Sequence, residues 1–319
     1  MSIATVLTSL VFGIWLAPLI LLAAIAADLI SGIRRWRFVR LTLFSGAVIA
    51  IETAGILASA TIWLSTGLGA RIRSSRSVRL HDRLQYWYNS TILRAAQTLL
   101  SLDIEVEGIV AAEAANAVVI GRHVSHIDAA LPAVVFGRYG HGVRYVLASG
   151  LQWGPCLDIV GNRQGDVFVN RAPGYRSDEL SQISRLGARI DKGLVAAVFP
   201  EGTFFTPARS ERALTRIEQH RPSELARARA LRHLLPPRPA GLFALLDSSP
   251  DSDVVVLGHV GLEHLSTIKD IIRAVPFQRK IGLRLWRISR CDVPDDHSAR
   301  VDWLYNQWAL LDEWIDQHQ

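Results

Sequence analysis

His123 and Asp128 stand five positions apart in the run Arg122-His123-Val124-Ser125-His126-Ile127-Asp128. A carboxylate that orients an imidazole makes a general base, able to take a proton from an alcohol and start acyl transfer. In an ideal helix five residues turn through about 500°, which would leave the two side chains about 140° apart. They can meet only if the stretch between them is a loop or irregular turn that leads into a helix. Gly121 before it and Ala129-Ala130-Leu131 after it permit that. Two plainer readings stay open: Asp128 as a helix N-cap beside a surface histidine, or His123, His126 and Asp128 as metal ligands. The metal reading has no cysteine nearby and no further histidine–carboxylate cluster of matching spacing.

Two later segments can add to this chemistry. Gly165-Asp166-Val167-Phe168-Val169-Asn170-Arg171 reads as a strand that delivers the Arg171 guanidinium to its C-terminal edge, where α/β sheets bind ligands. Phe199-Pro200-Glu201-Gly202-Thr203 follows the apolar run Val195–Val198. There Gly202 lets backbone approach a ligand, and Glu201 can accept from substrate hydroxyls or hold an arginine. Taken singly, these are also an exposed arginine and an ordinary strand-to-loop turn.

The elements that must carry these residues alternate. Strands are expected at Ile104–Glu107, Ala117–Ile120, Val143–Ala148, Asp166–Asn170, Val195–Phe199 and Val254–Leu257. A later strand pattern covers Lys280–Asp292. Helices are expected near His81–Leu102, Asp128–Phe136, Ser177–Lys192, Leu262–Ala274 and Asp296–Gln319. This implies an α/β fold with a mixed, mostly parallel sheet covered by helices. Pro207–His233, rich in arginine and glutamate, reads as a charged helical excursion from the sheet, either solvated or a lid.

The N-terminus is of another kind. No charged residue precedes Asp28, and Leu41–Leu68 is apolar apart from Glu52. Arg34, Arg35, Arg37 and Arg40 separate the two segments, and Arg71, Arg73, Arg76 and Arg79 follow the second. Each apolar run is long enough to cross a bilayer, but two crossings would put the arginine clusters on opposite sides, against the positive-inside preference. A re-entrant or monotopic membrane hairpin over residues 1–70 is therefore expected, ahead of a catalytic domain over 75–319. A buried core pair of helices is the alternative. The net charge is +6, with only Lys192, Lys269 and Lys280 as lysines. Arginine grips phosphate with a two-pronged fork, so the charge suits anionic lipid or a phosphorylated substrate, though a GC-rich genome gives the same composition. Cys156 and Cys291 exclude a disulfide framework or a cysteine metal site.

Together the three blocks resemble the glycerolipid acyltransferase superfamily, which contains the 1-acyl-glycerol-3-phosphate acyltransferases. That family carries a His-x4-Asp block, a Gly-x-x-Phe-x-x-Arg block and a Phe-Pro-Glu-Gly-Thr block in this order. They stand here at His123–Asp128, Gly165–Arg171 and Phe199–Thr203. His233-Leu234-Leu235-Pro236 and the region from Val293-Pro294 to Trp303-Leu304 look like the branch that includes lysocardiolipin acyltransferases. The resemblance implies a membrane-bound enzyme that acylates a lysophospholipid, above all 1-acyl-sn-glycerol-3-phosphate, from acyl-CoA or acyl carrier protein. It implies His123 and Asp128 as catalytic residues, Arg171, Glu201, Gly202 and Thr203 as substrate-binding ones, and no metal or organic cofactor. The implied place is the cytoplasmic side of a bacterial inner membrane, with the bilayer and not nucleic acid as partner. The sequence departs from the family twice: Arg122 stands where asparagine often precedes the histidine, and Phe204 where arginine often follows Glu-Gly-Thr. Rival readings are a hydrolase with Ser125 as nucleophile, which lacks a Gly-x-Ser-x-Gly elbow, and a non-catalytic basic membrane protein.

Overall fold

Runs of valine, isoleucine and alanine build the sheet, because β-branched side chains suit extended backbone and pack well where both faces are covered. The computed structural model describes residues 3–32, 35–125, 127–148, 155–169, 177–190, 194–263 and 268–319. Among them are β1 (Asp103–Glu107), β2 (Ala117–Gly121), β3 (Gly142–Ala148), β4 (Val167–Val169), β5 (Leu194–Val198), β6 (Asp253–Val260) and β7 (Lys280–Ile288). They form one sheet in the order β1-β7-β6-β2-β5-β3-β4. β6, β2, β5, β3 and β4 run parallel, and β7 is antiparallel to β6. The expected mixed, mostly parallel sheet is present.

Two compact units make up the chain. One contains residues 105–149, 166–263 and 282–319, and with them most of the sheet. Val118, Ile120, Ala196, Val198, Val254 and Val256 alternate along its three central strands. They share a core with α6 (Ser177–Gly187), α9 (Pro239–Asp247) and α11 (His297–His318). Val119, Ala197 and Val255 point the other way and are buried too, so the strands read as unbroken apolar runs.

The other unit contains residues 1–104, 150–165 and 264–281. Its helices include α1 (Ile3–Ile30), α2 (Arg37–Ser65), α3 (Ser75–Leu100) and α5 (Pro155–Gln164). The boundary expected between residues 70 and 75 lies inside this unit. α2 is long and apolar enough to span a bilayer, by length and composition. Asp28, the first charge in the chain, accepts from the amides of Phe38 (3.1 Å) and Val39 (3.0 Å) and so caps the start of α2. Glu52, the only charge in the second apolar segment, accepts from the Tyr88 hydroxyl (2.5 Å) and the Cys156 amide (2.7 Å). Arg40 donates to Leu99 O (2.9 Å) at the end of α3, and Arg163 donates to Ser59 O (2.8 Å). Arg40, Glu52 and Ser59 of α2 therefore meet partners on α3 or α5, while Thr53 donates to Ile49 O within its own helix.

Candidate active site

The C-terminal ends of β6, β2 and β5 lie side by side, and each delivers polar residues to the same edge. This is the place where parallel sheets offer ligand sites. β2 ends at Gly121, and the backbone runs through residues 122–125 as a loop before a 3-10 turn, Ile127–Ala129, opens α4 (Ala130–Gly137). That irregular turn brings His123 and Asp128 together: His123 Nδ1 lies 3.4 Å from Asp128 Oδ2. The pair is in ion-pair reach but out of line for a full hydrogen bond.

Asp128 is wholly buried and almost completely satisfied. Oδ2 accepts from the amides of Val124 (2.5 Å) and Ser125 (2.7 Å), and Oδ1 from the Ser125 hydroxyl (2.6 Å). A second imidazole, His259 at the end of β6, places Nε2 3.4 Å from Oδ1. Burial alone would raise the carboxyl's pKa. The close His259 and His123 imidazoles, each 3.4 Å away, outweigh it and hold Asp128 well below the usual carboxylate range. Asp128 thus stands as a buried anion facing His123; it is not the N-cap of α4, which is Ala129. Ser125, the rival nucleophile, is buried, and its hydroxyl is committed to Asp128. His126, needed for the metal reading, lies outside the described residues.

Two aromatic rings pack against the imidazole. The rings of Phe199 (4.7 Å between centroids, tilted) and Phe204 (4.4 Å, edge-on) flank His123. A Cβ on Gly121 would fall 2.7 Å from the Phe199 ring, so the glycine is what admits that ring. Phe204 therefore occupies, as a wall of the histidine pocket, the position where the related pattern has arginine.

Glu201 takes a different place from the one expected. It is buried, and its two oxygens accept from the backbone amides of His123 (2.7 Å) and Leu235 (2.9 Å). It braces the loop rather than facing a substrate hydroxyl. Burial pushes its carboxyl up to about 8, against the pull of the Leu235 and His123 amides and the Arg122 charge. The brace is anchored deeper. Trp308 of α11 donates to Leu235 O (3.1 Å), and Asp312 accepts from the amides of Arg232 (3.0 Å) and His233 (2.8 Å). The closing helix therefore sets the His233–Pro236 turn, the turn sets Glu201, and Glu201 sets the backbone of His123.

Gly202 has φ +68°, and a Cβ there would meet the Arg238 guanidinium at 3.2 Å. Thr203 is half-buried beside it. Arg171 lies outside the described residues, just after β4. Arg122, read only as a departure from the pattern, is buried and joins three segments. It pairs with Glu263 and donates to the carbonyls of His259 (2.5 Å) and His233 (3.4 Å).

Residues 103–257 match the protein-family profile described as Acyltransferase. The chain is 25% identical over 268 residues to 1-acyl-sn-glycerol-3-phosphate acyltransferase epsilon of Mus musculus, covering 79% of this chain and 71% of that one. An uncharacterized acyltransferase of Schizosaccharomyces pombe is 21% identical over 190 residues, covering 56% of this chain and 52% of its own length. The solved structure of the 1-acyl-sn-glycerophosphate acyltransferase PlsC from Thermotoga maritima is similar with a TM-score of 0.45 at 14% identity, over 83% of this chain and 97% of that one.

Proposed function

We propose that the chain, similar over residues 103–257 to the Acyltransferase family, acts as a glycerolipid acyltransferase that moves an acyl group from acyl-CoA or acyl carrier protein to the free hydroxyl of a lysophospholipid. The proposed acceptor is 1-acyl-sn-glycerol-3-phosphate, which is the substrate named for the mouse relative, and the product is then phosphatidic acid. The observation that carries this reading is the His123 Nδ1–Asp128 Oδ2 approach at the C-terminal edge of the parallel strands.

With Nδ1–H turned toward Asp128, Nε2 is left as the base. It takes the proton of the acceptor hydroxyl as the oxygen attacks the thioester carbonyl. The tetrahedral oxyanion collapses, the C–S bond breaks, and the proton passes from His123 to the departing thiolate. Asp128 stabilises the imidazolium between these steps. The acceptor is itself the nucleophile, so no acyl-enzyme is formed, and the route calls on no metal or organic cofactor. Arg171 binds the acceptor phosphate, Gly202 and Thr203 shape its pocket, and Glu201 holds the loop that carries His123. A larger headgroup is the second reading, favoured by Phe204 standing where an arginine would grip phosphate.

The unit that contains residues 1–104 supports a monotopic membrane anchor, and the proposed side is the cytoplasmic one. Phe12, Trp15, Leu19, Leu22, Leu29 and Ile30 of α1 are exposed, an apolar surface suited to lipid. α2 is bonded from Arg40 to Ser59 to its partners on α3 and α5. Driving it through the bilayer would take the charged residues of α3 into hydrocarbon, at high cost. A screen of the membrane fraction against a panel of lysolipids, with both donor types, tests the reading. New diacyl product from lysophosphatidic acid is expected, and transfer to none of the panel would overturn it.

A further inference from the structure

Asp128 serves two imidazoles. His259 is fully buried on β6, and its Nε2 lies 3.4 Å from Asp128 Oδ1 and 3.3 Å from the carbonyl oxygen of Arg122. Nε2 bonds to the Arg122 carbonyl and comes within ion-pair reach of Asp128, the two groups that decide where His123 stands. They are the acid it faces and the peptide group directly before it. The other ring nitrogen, Nδ1, is buried and has no hydrogen-bond partner among the described residues. A proton there would be a donor with no acceptor, so the hydrogen belongs on Nε2.

The charged groups around this ring come from three segments. Asp128 faces it from the 3-10 turn. Arg122, at the end of β2, donates to the carbonyl of His259 itself. Glu263, in the loop after β6, pairs with Arg122 and accepts from the Gly261 amide (2.7 Å).

The geometry points to His259 as a positioning residue for the proposed acyl transfer: through Asp128 Oδ1 and the Arg122 carbonyl it fixes the carboxylate's rotation so that Oδ2 faces His123. The inference rests on His123 and Asp128 acting as proposed above. Oδ2 is held by two amides but Oδ1 by a hydroxyl that rotates. His259, anchored on the Arg122 carbonyl, is the other side chain that reaches that second oxygen, at 3.4 Å.

The full chain, purified in bicelles, tests this with three variants. In His259→Gln the amide nitrogen falls near the position of Nε2, whereas in His259→Asn it falls short, nearer Nδ1. His259→Leu removes the donor altogether. The Leu and Asn variants should lose about 10- to 100-fold in kcat at unchanged KM for the lysolipid, as loss of a buried polar contact to a charged group predicts, and Gln should stay within about threefold of wild type. A second readout needs no turnover: ¹⁵N-histidine NMR should report His123 as the Nδ1–H tautomer in wild type and the Gln variant, and as a mixture in the Leu variant. An Asn variant at the wild-type rate would overturn the inference. So would a Gln variant as slow as Leu with equal melting temperature, or a His123 tautomer indifferent to all three. Full activity in His123→Ala would instead defeat the base assignment, and the tautomer measurement still decides the role of His259.

Discussion

Replacing Asp128 separates its electrostatic work from its structural work. In Asp128→Ala the amides of Val124 and Ser125 lose their acceptor, as does the Ser125 hydroxyl. The hydroxyl can turn to another partner, but the two amides cannot. Each buried, unpaired donor costs about 1–3 kcal/mol, so the variant should lose about 2–6 kcal/mol. In Asp128→Asn the side-chain carbonyl can keep both amides, and the amide nitrogen can donate to a rotated Ser125 hydroxyl. Its stability cost should be only about 1–2 kcal/mol. The anion is gone in both, and kcat should fall about 10²- to 10⁴-fold, the usual worth of a general base that has lost its orienting charge.

The stability gap between wild type and Asp128→Asn should also depend on pH. Asp128 is held below its unfolded value, near about 3.9, so its ionised form stabilises the fold above that pH. That contribution disappears as the pH falls through the lower folded value. The gap should therefore be full at neutral pH and shrink below about pH 4. Thiol release from acyl-CoA gives kcat, and thermal melts in detergent give stability. An Asn variant that turns over like wild type would refute the orienting role, and an Ala variant as stable as Asn would refute the hydrogen-bond assignment.

Three further outcomes follow from single contacts. Glu52→Ala strands the Cys156 amide and the Tyr88 hydroxyl, which should cost about 2–4 kcal/mol; an unchanged melting temperature would contradict the buried acceptor. Gly202→Ala forces a side chain into a left-handed residue against Arg238, at about 1–3 kcal/mol, and a melt at the wild-type temperature would show that the loop has another conformation. Phe204→Ala uncovers one side of the His123 ring. Carbethoxylation of His123 by diethyl pyrocarbonate should then speed up several-fold, and an unchanged rate would place that ring elsewhere.

The sheet was legible because its central strands are buried on both faces and so read as continuous apolar runs. β2 and β5 end within a residue of their expected limits. α9 was not legible: Pro239-Ala-Gly-Leu-Phe follows a proline-rich stretch and is too short to show a helical period. α5, with Gly161 inside it, was missed for the same reason. The His123–Asp128 approach follows from the rule that five helical positions cannot bring two side chains together, so a turn had to intervene. For Glu201 the sequence shows a carboxylate beside a glycine, and only the fold shows which amides reach it. His259 was missed as one histidine in a valine-rich strand. Its signal was a titratable group deep in a run that should bury on both faces, where an unpaired polar side chain is costly. Arg122 has the same lesson: a departure from a motif is a strut joining β2, β6 and the His233 turn.

The central claim is that the His123 imidazole, steered by Asp128, deprotonates a lipid hydroxyl. The most direct test is the single-turnover rate of phosphatidic acid formation by purified His123→Ala, with lysophosphatidic acid and labelled acyl-CoA at saturating levels. The rate should fall about 10²- to 10⁴-fold while the melting temperature and lysolipid binding hold. A folded His123→Ala protein that forms product at the wild-type rate would contradict the account.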